Sequence, residues 1–420
     1  MEDVVEREEI IERVAALDIG KAELVCCVRV PGEGTRRRQE VVRYSTMTRS
    51  LLALADRLDE LGVTRVVMEA TSDYWKSPFF VLEAAGFQTW LVNARDVKHL
   101  PGRPKTDRLD AVWLCKVAER QMLRPSFVPP PQIRDLRALT RYRRSLVAER
   151  TAEKQRVEKL LEDTGVKLSV VASDIFGVSG RQMMAALVAG ERDPEVLASM
   201  ARGLLRKKNP ELVEAFFACR FGQQHGWLLS KMLDRVDQFT ADIAEVDERI
   251  GEQIAPFASA VARLTQIPGI SDTTARIIIA EIGVDMTRFP TPGHLASWAK
   301  FAPGIKSSAG RHKGNGASGH GNRYLAAALG EAAVVAGRTN TFLGQRYQRV
   351  ARRRGKKRAV VAVGRSLLVI IWHLLNDPDA QFHDLGPGYY DTLVNTSRSR
   401  RNHVRQLERL GYKVTLEPAA

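Results

Sequence analysis

The chain has 420 residues, enough for two or three domains with separate cores, and its 44% hydrophobic content is that of a water-soluble globular protein. Its 64 lysines and arginines exceed its 49 aspartates and glutamates, and the net charge of +15 favours a polyanionic partner such as nucleic acid. The four cysteines have no metal-ligand spacing, which argues against a zinc site and predicts reduced, buried thiols. The charged first residues predict no signal peptide.

The first part of the chain alternates between strand and helix patterns. Strands are predicted at 14–17, 23–30, 40–44, 65–68 and 89–92, and helices at 49–61, 75–85 and 107–120. Three successive strands followed by strand–helix alternation is the order of a mixed-sheet α/β domain. With acidic residues at strand ends, this order predicts a ribonuclease-H-like fold.

Four carboxylates stand out in this part of the chain. Asp18 ends the first apolar run, Glu69 ends a later one, and Asp107 and Asp110 are one turn apart at a predicted helix start. Taken singly, each also fits a structural role as a turn residue or a helix-start charge. Together they predict one cluster that cannot stay ionised without compensation, and Mg²⁺ or Mn²⁺ supplies it. Such metal sites serve phosphoryl transfer on nucleic acid.

The middle of the chain is predicted to be a helical arm. The prolines of 125–131 indicate a linker, and long helical patterns at 133–161 and 225–254 flank small helices and turns. We interpret the arm as a rigid spacer or dimer seam. Several arginines of its first helix are also candidates for phosphate contacts: Arg134, Arg137, Arg141, Arg143 and Arg144.

The segment 264–283 has the pattern of a helix-hairpin-helix. Pro268 and Gly269 suit the tight turn, and Ser271 or Asp272 suits the cap of the second helix. Backbone N–H groups at that helix start would suit a DNA phosphate, although an ordinary αα-hairpin has the same pattern.

A polar, glycine-rich stretch covers 301–325 and predicts a flexible basic loop without regular structure. Ser307 and Ser308 are its candidate nucleophiles, although a serine in such a loop is usually not catalytic. A dense positive run follows at 345–358 and predicts a nucleic-acid-binding patch. It leads into the apolar stretch 359–375, which is short for a membrane span and contains Arg365 and His373, so we predict a core helix. The tail after Leu385 is polar and predicted to be peripheral.

These motifs together resemble the DEDD transposases of bacterial insertion sequences, a family whose relatives include the Piv-type DNA invertases. The resemblance runs in family order from about residue 12 to 390. It is carried by Ala16–Lys21, Met68–Trp75, Pro101–Asp110, Ile267–Ile270, Phe289–Pro290, Leu295–Trp298 and Lys306–Gly310.

The resemblance implies a domain order and a set of catalytic residues. A RuvC-like domain (1–125) would carry Asp18, Glu69, Asp107 and Asp110, followed by the linker and coiled-coil arm (126–260). A mostly α C-terminal transposase domain (261–385) would carry Ser308 as nucleophile, with Ser307 as the alternative, before a tail (386–420). The tetrad would hold Mg²⁺ or Mn²⁺ near the scissile phosphate.

The resemblance also implies partners. They are the DNA of the element ends and target, a structured guide RNA from the element, and further subunits in a homodimer that assembles to a tetramer. The expected location is the bacterial cytoplasm, at the nucleoid, without a membrane. The candidate nucleic-acid contacts are Lys105, Arg311, Lys313, Arg323, Arg352, Arg353, Arg354, Lys356 and Lys357.

Two other functions remain open, and one position departs from the family pattern. A RuvC-like nuclease that hydrolyses DNA junctions would need the acids but not Ser308, and a non-catalytic nucleic-acid-binding protein would need neither. The family commonly has arginine after the leucine of its Gly-Asn-x-x-Leu segment, whereas Ala326 follows Leu325 here.

Overall fold

The computed structural model describes residues 10–34, 36–70, 72–93, 107–303, 307–308, 311–312, 319–392 and 396–416. Its backbone contacts divide the chain into two units, Met1–Val128 and Pro129–Ala420. The first unit is mixed α/β, whereas the second is almost entirely helical.

The first unit is built on a five-stranded sheet of order β3-β2-β1-β4-β5. β1 pairs antiparallel with β2, and β2 with β3, while β4 lies parallel to β1 and β5 parallel to β4. This topology confirms the predicted mixed sheet and agrees with a ribonuclease-H-like domain. Its described elements are β1 (Val14–Ile19), β2 (Glu23–Pro31), β3 (Arg37–Ser45), α1 (Thr48–Glu60), β4 (Arg65–Ala70), α2 (Lys76–Ala84), β5 (Gln88–Asn93) and α3 (Asp107–Glu119).

Helices cover both faces of this sheet because its central strands are apolar on both sides. Leu51, Leu54 and Leu58 of α1 recur at helical spacing and pack with α2 on one face. The opposite face, which includes Val14 and Ala16, is covered by α3. Alternate residues of β1 therefore point to opposite faces of the sheet. One set packs against α1 and α2, and the other packs against α3.

The cysteines follow the prediction with one exception. Cys26, Cys27 and Cys115 are buried free thiols, and burial raises the pKa of Cys26 and Cys115. Cys219 is only half-buried, because it lies in the turn before the second long helix rather than in a strand or helix interior.

The second unit begins with two long helices that pack side by side, α4 (Pro131–Asp163) and α9 (Gln223–Ile254). The buried positions of α9 recur three or four residues apart, as a helix-to-helix seam requires: Leu229, Leu233, Val236, Ile243, Val246, Ile250 and Ile254. Between them lie α5 (Leu168–Val171), α6 (Val178–Ala189), α7 (Pro194–Ser199), a 3₁₀ turn (Gly203–Lys208) and α8 (Asn209–Phe216). These short helices form a core with one end of the pair.

The remainder of the second unit contains further short helices around one apolar helix. Its elements are α10 (Ala258–Thr265), α11 (Asp272–Ile282), α12 (Pro292–Trp298), β6 (Ser307–Ser308), β7 (Arg311–His312), α13 (Arg323–Ala336), α14 (Phe342–Arg354), α15 (Lys356–Asn376), α16 (Tyr389–Thr392) and α17 (Thr396–Arg409), with 3₁₀ turns at Ala255–Phe257 and Met286–Arg288.

Within the described residues, α15 alone is long and apolar enough to cross a membrane by length and composition. It packs against α12, α13 and α14, and five of its apolar side chains have no exposed surface. They are Ala359, Val363, Leu367, Leu368 and Ile371. This packing is that of a core helix, as the charged Arg365 in its sequence predicted.

Gly269 forms the turn between α10 and α11 in a conformation that only glycine adopts easily. Its φ is +92°, and a Cβ there would lie 2.3 Å from the carbonyl oxygen of Ala332 on α13. The turn therefore packs against α13 at this point. Ser271 caps α11 by accepting a hydrogen bond from the backbone N–H of Thr274 at 3.2 Å, which decides between the two predicted caps.

We expect Gly269→Ala to lower the free energy of unfolding by about 3 kcal/mol. Positive φ costs a non-glycine residue about 1–2 kcal/mol, and overpacking adds about 1–3 kcal/mol. Gly190→Ala is the matched control, because Gly190 has φ of +102° and open space around its Cβ position. Urea titration of both variants separates backbone strain from the clash, and equal losses would contradict the close packing on α13.

Candidate functional site

Asp18 and Glu69 lie at the same edge of the sheet, on neighbouring parallel strands. The register pairs Leu17 with Met68, so the two acids are the next residues along β1 and β4. Alternation along the strands places them on the face that holds Ala16 and Val67, which is the face covered by α3. Both carboxylates are half-buried.

The first turn of α3 is directed to this same edge because the helix runs antiparallel to β1. The N–H of Ile11 donates to the carbonyl oxygen of Glu119 at 2.9 Å, and Cys115 Sγ lies 3.6 Å from the carbonyl oxygen of Val14. From Cys115 back to Asp107 is about 12 Å of helix, and from Val14 on to Asp18 is about 13 Å of strand. The start of α3 therefore reaches the level of Asp18.

The structure thus places three elements that carry the four acids at one end of one sheet face. Asp110 is half-buried, and α3 begins at Asp107, whose side chain lies outside the described residues. Among the side chains that are described, no group of three or more His, Cys, Asp or Glu is arranged to hold a metal ion. The four predicted donors are carboxylates, whose oxygens suit a hard divalent cation.

The candidate serines lie on a short hairpin. β6 and β7 pair antiparallel, with Ser307 opposite His312 and Ser308 opposite Arg311. The prediction of a stretch without regular structure is wrong at these residues, because backbone N–H and C=O groups can pair in a ladder even where the sequence is polar and rich in glycine. Within this stretch, residues 304–306, 309–310 and 313–318, which include Lys313, lie outside the described residues, as does Lys105.

Close contacts hold the chain just before and just after the serine segment, a name used here for residues 302–320. A Cβ at Gly321 would lie 2.6 Å from the carbonyl oxygen of Ala299, so the chain leaving the segment touches the chain entering it. Phe301 packs on α15 closely enough that a Cβ at Gly364 would meet its ring at 2.3 Å. Asn322 then caps α13 by accepting hydrogen bonds from the N–H groups of Tyr324 at 3.0 Å and Leu325 at 3.2 Å.

A fully buried carboxylate, Glu281 at the end of α11, joins this cap to α4. Arg141 donates to both carboxylate oxygens at 2.8 Å, and the amide of Asn322 donates to one of them at 2.5 Å. Arg137 donates to the backbone carbonyl oxygen of Glu281 at 2.6 Å, and its Nε lies 3.3 Å from the carboxylate. Burial lowers the pKa of Arg137 to about 10, against the opposing effect of Glu281.

The exposed Arg323, a predicted nucleic-acid contact, is held on the ring of Tyr324. Its guanidinium carbon lies 4.8 Å from the ring centroid, and Nη2 donates to the tyrosine hydroxyl at 2.8 Å. The guanidinium of Arg141 lies 4.5 Å from the centroid of the same ring. Ala326, where the family commonly has arginine, is half-buried on α13.

The long positive run forms two helix ends that meet at Gly355. Its exposed cations end α14 and begin α15: Arg352, Arg353, Arg354, Lys356, Lys357 and Arg358. Within the described part of the chain none of these six makes an ion pair. The helix dipole favours the first three but disfavours the three at the start of α15. A bound polyanion would remove this cost, which fits the predicted nucleic-acid patch.

Three of the arm arginines pair with carboxylates of other helices, an arrangement that the sequence analysis did not predict; whether they also contact phosphates stays a prediction. Arg137 and Arg141 are committed to Glu281, and Arg143 donates two hydrogen bonds to Asp247 of α9, at 2.5 and 2.9 Å. Each finds its carboxylate on another helix, and such pairing across the fold has no local sequence signal.

Sequence reasoning missed Glu281 and Asn322 as residues of the serine region. A weak signal was present, since Glu281 interrupts the otherwise apolar run at the end of α11 and is therefore a buried carboxylate in need of partners. Nothing in the sequence named those partners.

Comparison with known proteins returns two family models from one group. Residues 15–165 match the DEDD-type model of IS110, described as a transposase, and residues 261–348 match the transposase family of IS116, IS110 and IS902. The first match contains Asp18, Glu69, Asp107 and Asp110, and the second contains Ser308 and Glu281. Together the two matches cover more than half of the chain.

Three curated relatives are similar over most of their length. The chain is 26% identical over 321 residues to a transposase for insertion sequence element IS1111A from Coxiella burnetii, covering 75% of this chain and 78% of the relative. It is 26% identical to a probable family 20 transposase from Pseudomonas aeruginosa, covering 82% and 92%. It is 24% identical to an uncharacterized 43.6 kDa protein of insertion element IS110 from Streptomyces coelicolor, covering 78% and 85%.

Proposed function

The chain belongs to the DEDD-type transposases of bacterial insertion sequences, which act on DNA, and we propose that it excises and inserts its element through a serine nucleophile assisted by an acidic tetrad that binds a divalent metal. The observation that carries the proposal is the convergence at one sheet edge: Asp18 and Glu69 end adjacent parallel strands, and α3 begins at Asp107 on the same face.

Asp18, Glu69, Asp107 and Asp110 would hold Mg²⁺ or Mn²⁺ through their carboxylate oxygens. A cation held there would supply Lewis-acid chemistry, that is, polarisation of the scissile phosphate and stabilisation of the charge on the leaving oxygen. Four carboxylates brought together would repel one another, and a divalent cation would offset this repulsion. Placing them at strand ends and a helix start fixes the donors on rigid elements rather than on loops.

Ser308 is the proposed nucleophile, with Ser307 as its alternative. The Oγ atom attacks the phosphorus, its proton leaves to a base, and the bond from phosphorus to the leaving sugar oxygen breaks. The resulting phosphoserine ester conserves the energy of the broken bond, so a free DNA hydroxyl can displace the serine and rejoin the strand without ATP. The capped start of α13 at Asn322 supports one end of the segment that carries this serine.

The basic residues would bind the nucleic-acid partners. We propose that DNA and a structured guide RNA from the element contact Arg311, Lys313 and Arg323 of the second unit and Lys105 of the first. The cations around Gly355 would track a backbone: Arg352, Arg353, Arg354, Lys356 and Lys357. The active form would be a homodimer assembling to a tetramer in the bacterial cytoplasm.

Covalent capture of DNA tests the serine. We expect labelled DNA spanning the element junction, incubated with the protein, Mg²⁺ and RNA transcribed from the element ends, to yield a protease-sensitive adduct on a denaturing gel. Ser308→Ala should abolish the adduct, because the Oγ atom that forms the ester is gone, and Ser307→Ala should retain it. The reverse pattern would assign the nucleophile to Ser307.

One result would replace this proposal with the alternative of a RuvC-like nuclease. Free nicked ends that need Mg²⁺ and Asp18, with no adduct and no effect of Ser308→Ala or Ser307→Ala, require hydrolysis by water.

A further inference from the structure

The segment 384–390 packs on α14, so the first part of the tail is not peripheral, whereas the described side chains from 400 to 416 are mostly exposed, as predicted. The ring of Tyr390 stacks on that of Phe342 with centroids 5.4 Å apart and planes 17° apart, and Tyr389 meets Phe342 edge-on at 5.0 Å. The carboxylate of Asp384 accepts a hydrogen bond from the N–H of Phe342 at 3.0 Å. These contacts hold Tyr390 beside the basic face of α14.

Between this segment and α14 lies an open cavity of about 240 Å³. Besides Pro387, its lining consists of two amides, three guanidinium groups and one phenol. They belong to Gln345, Gln348, Arg349, Arg352, Arg353 and Tyr390. None of these lining residues is acidic, so three positive charges face one small space, and a negatively charged occupant would relieve their mutual repulsion.

The hydrogen bonds around Tyr390 leave donors available to such an occupant. Arg346 Nη1 donates to the hydroxyl oxygen of Tyr390 at 2.9 Å, which leaves the hydroxyl proton available for an acceptor. Arg349 lies with its guanidinium carbon 4.9 Å from the centroid of the Tyr390 ring. The contact orients this side chain while its N–H groups remain able to bind phosphate oxygens.

We propose that this cavity binds one phosphodiester group of a nucleic-acid strand. Arg349, Arg352 and Arg353 would hold the phosphate oxygens, and the Tyr390 hydroxyl would donate one further hydrogen bond. This cavity differs from the surrounding basic surface because its lining also includes an uncharged phenol and two amides. These groups can hydrogen-bond a phosphate held at one fixed position, which charge alone does not do. The inference rests on the nucleic-acid binding proposed above for Arg352 and Arg353 and gives it a defined site, but it needs neither Ser308 nor the acidic tetrad.

The neighbouring arginines of α14 provide a matched test. Arg353 lines the cavity, whereas Arg354, next to it and equally basic, does not. In EDTA, so that no strand is cut, we expect Arg353→Gln to weaken binding of a 20-nucleotide single strand about tenfold, and Arg354→Gln about twofold. The slope of log affinity against log salt should fall by about 0.7 for Arg353→Gln, as for one lost single-strand phosphate contact.

Tyr390→Phe tests the hydroxyl while it retains the ring that stacks on Phe342. We expect a threefold to tenfold loss of affinity with an unchanged salt slope, because no charge is removed. The affinities for a DNA strand and an RNA strand of the same sequence are measured in parallel. The strand that Tyr390→Phe binds more weakly than the wild type is the one held in this cavity. Equal losses for Arg353→Gln and Arg354→Gln, or wild-type affinity of Tyr390→Phe on both strands, would overturn the proposal.

Discussion

Asp18→Asn should reduce DNA strand cleavage about a thousandfold while the protein remains folded and still binds DNA. A carboxylate that holds a catalytic metal contributes several kcal/mol of transition-state stabilisation, and each tenfold in rate corresponds to about 1.4 kcal/mol. Asparagine has nearly the shape of aspartate, so the end of β1 keeps its packing. The measurement is the single-turnover rate of cleavage at saturating Mg²⁺.

A second readout of Asp18→Asn does not depend on activity. A ligand that binds only the folded protein raises its melting temperature, so titration with Mg²⁺ or Mn²⁺ should stabilise the wild-type chain. This metal-dependent rise should disappear in Asp18→Asn and persist in Asp59→Asn, since Asp59 is an exposed acid on α1 away from the strand ends. Retention of both cleavage and metal stabilisation in Asp18→Asn would mean that the acids at this edge are structural.

Glu281→Ala should lower the free energy of unfolding by about 3–5 kcal/mol, the usual cost of removing one partner from a buried ion pair. Glu281 has no exposed surface, and its loss leaves the guanidinium of Arg141 and the amide of Asn322 without their acceptor. Arg137 also loses the nearby negative charge that offsets its burial. The change should appear as a lower midpoint in urea titration of the full chain.

Two comparison variants separate charge from hydrogen bonding at Glu281. Glu281→Gln keeps an oxygen acceptor without the charge, so it should lower the free energy of unfolding by less than Glu281→Ala does. Glu331→Ala removes an exposed glutamate from the neighbouring α13 and should change stability by less than about 0.5 kcal/mol. If Glu281→Ala were no more harmful than Glu331→Ala, the buried network would not hold α4, α11 and the cap of α13 together.

The sheet and its acidic edge were largely predictable from local patterns. Leu24, Cys26 and Val28 alternate along β2 with residues of the opposite core, and α1 repeats its leucines at helical spacing. These periods follow from backbone geometry within a few residues, so they can be read before any contact is known. The ends of the apolar runs likewise marked Asp18 and Glu69, because strands of one sheet direct such ends to common edges.

Contacts between distant parts of the chain were not predictable in this way. Glu281 and Arg141 are 140 residues apart, and either could have paired with many other charged groups. Tyr390 is an ordinary aromatic residue of a polar tail until Phe342 provides the ring on which it stacks. The pairing of Ser308 with Arg311 occurs in a stretch whose glycines predicted no regular structure.

The sequence by itself therefore determined the order of strands and helices, the excess of positive charge and the four acids at element ends, since periodicity and composition are local properties. Only the tertiary structure decided which arginines pair with carboxylates of other helices, which residue caps the helix after the serine segment, and where a basic cavity forms. Burial selects among many chemically equivalent partners, because a carboxylate or guanidinium removed from water needs a partner that the packed fold brings within hydrogen-bonding distance.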